Sequence, residues 1–136
     1  RVMQVQRVDI SHVNQVWPMV EQFVANALEH SCGDYTIEQA KTLVVMGHWT
    51  LLVAVDDAGV QGAATVSFSN RPNDRVAFIT TIGGKLISNK DTFAQLKQVL
   101  ASTGATYIEG AARESIARLW SRYGFAEKYR IVGVKI

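Results

Sequence analysis

Cysteine is almost missing: Cys32 is the only one in 136 residues. That excludes an intramolecular disulfide and a zinc site built from a thiolate cluster, and it points to a reducing compartment. Long apolar runs are missing too. The longest near the middle, residues 51–55 (LLVAV), is far too short to cross a bilayer, and no charged-then-apolar leader opens the chain. A cytoplasmic protein without a membrane partner is therefore expected. Arg1 and Val2 precede Met3, which makes Met3 one candidate for the native start. Neither sign of charge dominates: 14 Lys and Arg face 12 Asp and Glu, for a net charge of +2. The charges are interspersed and no basic stretch occurs, so the electrostatic footprint of a nucleic-acid binder is absent. Internal repeats, linkers and low-complexity segments are also lacking.

What is present is the composition of a globular protein, 48% hydrophobic and 19% charged. A chain of this length can bury a core without disulfides or metals, and a single domain over residues 1–136 is expected. Residues 3–9 (MQVQRVD) alternate as a strand with one covered face. Val13, Val16, Trp17, Val20, Phe23, Val24, Ala27 and Leu28 recur at helical spacing, with Pro18 either starting or bending that helix. Thr36 and Gln39 have the form of a capping box before a second short helix ended by Gly47. Residues 49–55, 60–67 and 76–82 then read as three antiparallel strands joined by turns at 56–59 and 70–74.

Gly83 and Gly84 end that run, and Ser88 with Asp91 predicts the cap of a helix carrying Phe93, Leu96, Val99 and Leu100. Residues 105–111 read as a strand, 113–123 as a helix stopped by Gly124, and 125–136 as a closing strand. The predicted order is β-α-α-β-β-β-α-β-α-β. It implies an α/β (α+β) protein with one mixed sheet, antiparallel first and crossed over by helices later, covered on both faces.

That order, together with ARLWSRYGF at residues 117–125, resembles the GNAT superfamily of acyl-CoA-dependent N-acyltransferases, whose last helix ends A-x-L-Y-x-x-x-G-F beside the pantetheine arm of CoA. The surrounding stretch, with Arg113 and Arg118, also resembles a compact GNAT-like variant encoded by tailed bacteriophages. The resemblance implies acetyl-CoA as co-substrate, an amine as acceptor and no metal. Three departures stand out. The family's pyrophosphate loop, Q/R-x-x-G-x-G/A, is replaced by TTIGGKLISNKD, which leaves Thr81, Ile82, Gly83, Gly84, Lys85 and Asn89 as candidate donor contacts. Glycines there would let backbone amides approach an anion, and a helix start near Ser88 or Asn89 would offer its unpaired N–H groups. A plain turn is the competing explanation.

The family's tyrosine, the acid for the departing thiolate, falls at Trp120, whose indole is not a useful acid. Tyr123, three residues on, could supply a phenol only from a neighbouring face; otherwise it packs as an aromatic. Trp120 is expected to line the donor cleft, Leu119 and Phe125 to be structural, and Arg113 to stand at the helix start. Eleven residues follow Phe125, where the family usually has a two-stranded hairpin, so the acceptor side is open or completed by a partner, a homodimer included.

Acyl transfer needs a positioned donor, a neutral amine and hydrogen bonds for the oxyanion. Glu109 is the candidate base, with an ion pair to Arg113 or another cation as the alternative. Thr80 and Thr81 could hold a water relay or simply suit a strand. His12, His30 and His48 are too dispersed for a metal site. The alternative function is a catalytically silent GNAT-like module binding a host protein or another copy of itself.

Overall fold

The computed structural model describes residues 2–30 and 33–136, so Cys32 lies outside the described residues. In chain order the elements are β1 (Gln4–Arg7), a 3-10 turn (Ile10–His12), α1 (Val13–Leu28), α2 (Ile37–Val45), β2 (Thr50–Asp56), β3 (Gly59–Asn70) and β4 (Arg75–Gly84). Then come α3 (Lys90–Ser102), β5 (Tyr107–Gly110), α4 (Glu114–Trp120) and a second 3-10 turn (Ser121–Tyr123). The five strands lie in sequence order in one sheet. β1 to β4 pair antiparallel and β5 joins β4 in parallel, as a crossover through α3 requires.

Two cores form because the side chains of each strand alternate between the faces of the sheet. On one face Leu51, Val53 and Ala63 meet Val13, Trp17, Val20 and Val24 of α1 and Ala40 and Val44 of α2. On the other, Leu52, Ala54, Ala64, Val66, Ala77 and Ile79 meet Phe93, Leu96 and Leu100 of α3 and Trp120 of α4. The helix spacing seen in the sequence is thus the spacing of the buried stripe. Helix α1 runs unbroken from Val13 with Pro18 inside it, rather than starting near Trp17. Its Trp17 indole N–H donates to Glu21 Oε2 one turn on, at 3.0 Å, which satisfies a buried polar atom.

The capping box of α2 forms as expected, with Gln39 N–H donating to Thr36 Oγ1 and Thr36 N–H to Gln39 Oε1. At α3 the box sits one residue later than Ser88 and Asp91 predict: Asn89 is the cap and Thr92 its reciprocal partner. Thr92 is fully buried, and its hydroxyl accepts from the amides of both Ser88 and Asn89 at 3.3 Å, a role that the exposed Asp91 could not fill from its own position. Gln95 then ties α3 to β1: its Oε1 accepts from Val5 N–H at 2.9 Å and its Nε2 donates to Met3 O at 2.8 Å.

The closing strand expected over residues 125–136 does not form. That stretch carries no strand, and Ile131, Val132, Val134 and Ile136 are 79%, 90%, 90% and 120% exposed. Its alternation suits a strand, but no strand of this chain pairs with it.

Candidate active site

The site is built by a mismatch in length between the two parallel strands. β5 pairs with β4 only from Val76↔Tyr107 to Ile79↔Gly110. β5 then stops and turns through residues 111–113 into α4, whereas β4 continues to Gly84. From position 80 onward the β5-facing edge of β4 has no strand partner. A bulge coincides with that point, since Thr65 pairs Thr81 and Val66 pairs Ile79, which leaves Thr80 over. Bulges sharpen local twist and free backbone groups from the ladder. Helix α3 follows the carboxyl end of β4, and α4 follows that of β5. An opening at the carboxyl ends of parallel strands is where α/β folds bind ligands.

The bulge is pinned by three threonines. Thr65 Oγ1 lies 2.7 Å from both Thr80 Oγ1 and Thr81 Oγ1, and Thr80 Oγ1 donates to Thr65 O at 2.9 Å. Thr65 and Thr81 are buried, so these hydroxyls satisfy one another. The network accounts for their polarity without a water relay.

The neighbouring glycines serve packing. A Cβ on Gly83 would stand 2.8 Å from Phe23 O, and one on Gly84 would stand 2.4 Å from Gln61 O and 2.8 Å from Phe23 Cε1. Gly84 also has φ +70°, which side chains rarely adopt. The pair therefore lets β4 cross closely under α1 and β3, and Lys85 N–H is already bonded to Gln61 O at 3.0 Å. At the start of α3 the amides of Ser88, Asn89 and Thr92 are used by the capping box. Those of Lys90 and Asp91, the first two of the helix, have no acceptor among the described residues.

Glu109 does not meet Arg113. Its carboxylate accepts from Arg71 at 2.6 and 3.1 Å and from Lys128 Nζ at 2.9 Å, with its side chain only 12% exposed. Arg71 belongs to the turn between β3 and β4, which brings it beside β5 because β5 lies next to β4. The Arg71 guanidinium is the main reason that the Glu109 carboxyl is held below its ordinary value, with Lys128 acting in the same direction against the opposing effect of burial. Arg113 caps α4 only through its backbone, and its guanidinium lies 3.5 Å from His30 Nδ1 at the far end of α1.

Trp120 is buried rather than lining an open cleft. Its ring packs on Phe125 at 5.2 Å and against Gly110, where a Cβ would stand 3.3 Å from it. Phe93 of α3 completes the cluster, 5.2 Å from Tyr123 and 5.6 Å from Phe125. Phe125 is structural, as expected, whereas Leu119 is 38% exposed because it points away from this cluster. Tyr123 is half-buried on the 3-10 turn, closed by Gly124 with φ 95°. Ile82 packs with the α3 core. An open depression of about 480 Å³ lies apart from these residues, on α2 and the loop before it, lined by Asp34, Tyr35, Glu38, Gln39, Thr42 and Leu43.

The overall fold is similar to that of solved acetyltransferases. An aminoglycoside acetyltransferase from an uncultured soil metagenomic sample matches with a TM-score of 0.69 and 14% identity, over 100% of this chain and 99% of that one. The chain has the GNAT fold. The aminoglycoside acetyltransferase AAC(6')-Iy, solved with the bisubstrate analog CoA-S-monomethyl-acetylneamine, matches with the same TM-score of 0.69, 14% identity and coverage of 100% and 99%. A predicted acetyltransferase from Clostridium acetobutylicum, solved with acetyl-CoA, matches at 0.61 and 11% identity over 98% and 96%. No family model and no curated protein sequence matches the chain. Among the described residues no helix is long and apolar enough to cross a membrane, and no group of His, Cys, Asp and Glu could hold a metal ion. In this chain the Gly83-Gly84 turn packs against α1 and β3, and Trp120 is buried.

Proposed function

We propose that the protein transfers an acetyl group from acetyl-CoA to an amine. The observation that carries this reading is the loss of β4's strand partner at Ile79 and Gly110, next to the Thr80 bulge. Backbone groups left without a ladder can bind an extended amide-bearing chain as a further strand would, and can hydrogen-bond a carbonyl oxygen as it gains charge. The donor supplies the thioester whose carbonyl the amine attacks. The residues of β4 from Thr81 to Ile82 would hold its amide arm. The free amides of Lys90 and Asp91, with the Lys85 and Lys90 side chains, would hold its phosphates in place of a glycine loop. Lys85 and Lys90 are both exposed and able to turn toward an anion.

In this reading Glu109 is not the base. An acid held ionised by two cations is a weak proton acceptor at neutral pH. It anchors the edge of β5 to the β3–β4 turn and to Lys128. Tyr123 is the phenol we assign to protonating the departing thiolate, since Trp120 cannot. The amine enters neutral or loses its proton to water. Acetyl-CoA being a cytoplasmic metabolite, a cytoplasmic location goes with the same reading.

Calorimetric titration with acetyl-CoA tests it, followed by thiol release with a panel of polyamines and aminoglycosides. Saturable binding and amine-dependent thiol release are expected. Folded protein without saturable binding at millimolar donor would remove the enzyme reading and leave a GNAT-fold interaction protein.

A further inference from the structure

We infer that Arg113 and His30 recognise a carboxylate on the acceptor, so that the amine acetylated by this protein belongs to an amino acid or another small amino carboxylate. The inference rests on the acetyltransferase reading and names its substrate class. The Arg113 guanidinium lies 3.5 Å from His30 Nδ1, and both residues are exposed. Among the described residues no carboxylate answers either side chain. Glu109 is held by Arg71 and Lys128, and Glu114, next to Arg113, pairs with Arg118 at 3.7 Å instead. Glu29, beside His30, joins no ion pair among the described residues. A guanidinium can only donate, so the ring nitrogen that faces it accepts and the His30 proton sits on Nε2. The pair therefore presents donors alone, the remaining Arg113 N–H groups and His30 Nε2–H. Two donors of this kind, one of them a planar fork, match the two oxygens of a carboxylate. Nor is the guanidinium needed by the fold, since Arg113 caps α4 through its backbone only.

Position makes that anion part of the acceptor rather than of the donor. Helix α1 packs on one face of the sheet and α4 on the other, yet His30 follows α1 and Arg113 starts α4. Their contact joins the two layers beyond Gly110, where β5 ends and β4 goes on alone. The donor phosphates are assigned above to the start of α3, which packs on the same face as α4. His30 comes from the opposite face. The acceptor has to reach the thioester from the side that the donor leaves free, and that is the side of α1 and His30. A carboxylate held there fixes the acceptor by an end that does not react and leaves its amine to be aimed. In the transfer the amine nitrogen bonds the acetyl carbon, the carbon–sulfur bond of the thioester breaks, and the proton lost by the nitrogen balances the one gained by the CoA thiolate.

Thiol release from acetyl-CoA, measured on the full chain with free amino acids, their carboxamides and aminoglycosides as acceptors, tests it beside a calorimetric titration with acetyl-CoA. The best amino acid should have a KM lower than that of its own carboxamide by about tenfold or more, the size of a charge-assisted hydrogen bond. Arg113→Gln should bring that ratio toward one, Arg113→Lys should fall between because it keeps the charge and loses the fork, and His30→Ala should lower the ratio in part. Circular dichroism of the three variants should match wild type, since both side chains are exposed. Equal KM for acid and amide in the wild type would overturn the inference, as would turnover of aminoglycosides with none of amino acids. It would be overturned as well if Arg113→Gln weakened acetyl-CoA binding and left the ratio alone, because the arginine would then hold a donor phosphate. Those results leave acetyl transfer standing. Absence of acetyl-CoA binding removes the acetyltransferase reading itself, and the inference with it.

Discussion

Glu109 and Arg71 are 38 residues apart and joined by two hydrogen bonds, at 2.6 and 3.1 Å. One comes from the edge strand and the other from the β3–β4 turn, so the pair locks β5 against the rest of the sheet at the base of the β4–β5 opening. Lys128 adds a third charge from the segment after α4. Networked pairs with bidentate geometry are the ion pairs expected to matter for stability.

Glu109→Gln should lower stability by about 1 kcal/mol, since the glutamine amide keeps part of the contact but not the charge. The sign with pH follows from the depressed carboxyl. Its stabilisation is fully present above the ordinary value of 4.5 and is lost as pH falls through the lower value of the folded protein. Denaturant titrations should therefore separate wild type from Glu109→Gln at neutral pH and bring them together in acid. If acetyl transfer proves to depend on Glu109 as a base, the variant will lose turnover far beyond its loss of stability.

Gly84→Ala should be among the most damaging single changes. Its methyl would stand 2.4 Å from Gln61 O and 2.7 Å from Gly62 Cα, both backbone atoms that cannot swing aside, at a φ that alanine disfavours. Overpacking and the backbone conformation together should cost on the order of 3 kcal/mol. Gly133→Ala, where a Cβ meets nothing within 4 Å, is the control and should be neutral. Thermal unfolding of the two variants checks the contrast. Equal stabilities would mean that β4 and Gln61 can separate.

Gln95→Ala should unfasten β1. Val5 N–H is bonded to Gln95 Oε1 rather than to a strand, and Val5 is 7% exposed. Removing the acceptor leaves an amide in a covered position, a loss of about 1–3 kcal/mol. Hydrogen exchange at Val5 should accelerate more than exchange in β3. An equal change in both strands would show that β1 does not open separately.

How far the sequence carried can be judged residue by residue. Thr36 and Gln39 are three positions apart and their bond is local, so the capping box was legible. The alternation of residues 76–82 and the stripe from Val13 to Val24 were legible for the same reason, because periodicity alone decides which side is buried. What failed was whatever depended on distant chain. Gly83-Gly84 reads in the sequence as a plain turn or a phosphate cradle, and neither reading contains the close pass of Phe23 of α1, whose carbonyl oxygen would stand 2.8 Å from a Cβ on Gly83. Arg113 is close to Glu109 in sequence, but the sheet brings Arg71 there instead. Ser88 and Asp91 have the spacing of a cap, yet burial selects Thr92 and with it Asn89. Residues 125–136 carry a strand pattern whose partner edge no local rule could supply.

Tyr123→Phe separates chemistry from packing at the remaining candidate. The Tyr123 ring rests on Phe93 at 5.2 Å within the cluster that includes Trp120 and Phe125, and a phenylalanine keeps that ring contact. The hydroxyl is what the substitution removes. If the phenol protonates the leaving thiolate, turnover should fall by roughly 10²-fold, with acetyl-CoA affinity and melting temperature unchanged. A more acidic leaving group needs less help, so a donor with an activated thiol should recover part of the loss. Phe93→Ala is the companion variant. It removes the packing and keeps the phenol, so it should lower stability by about 3 kcal/mol and reduce turnover through misplacement, with no recovery from the activated donor. Unchanged turnover in Tyr123→Phe, alongside demonstrated acetyl transfer, would reduce Tyr123 to an aromatic of the α3–α4 cluster and leave water as the source of the proton.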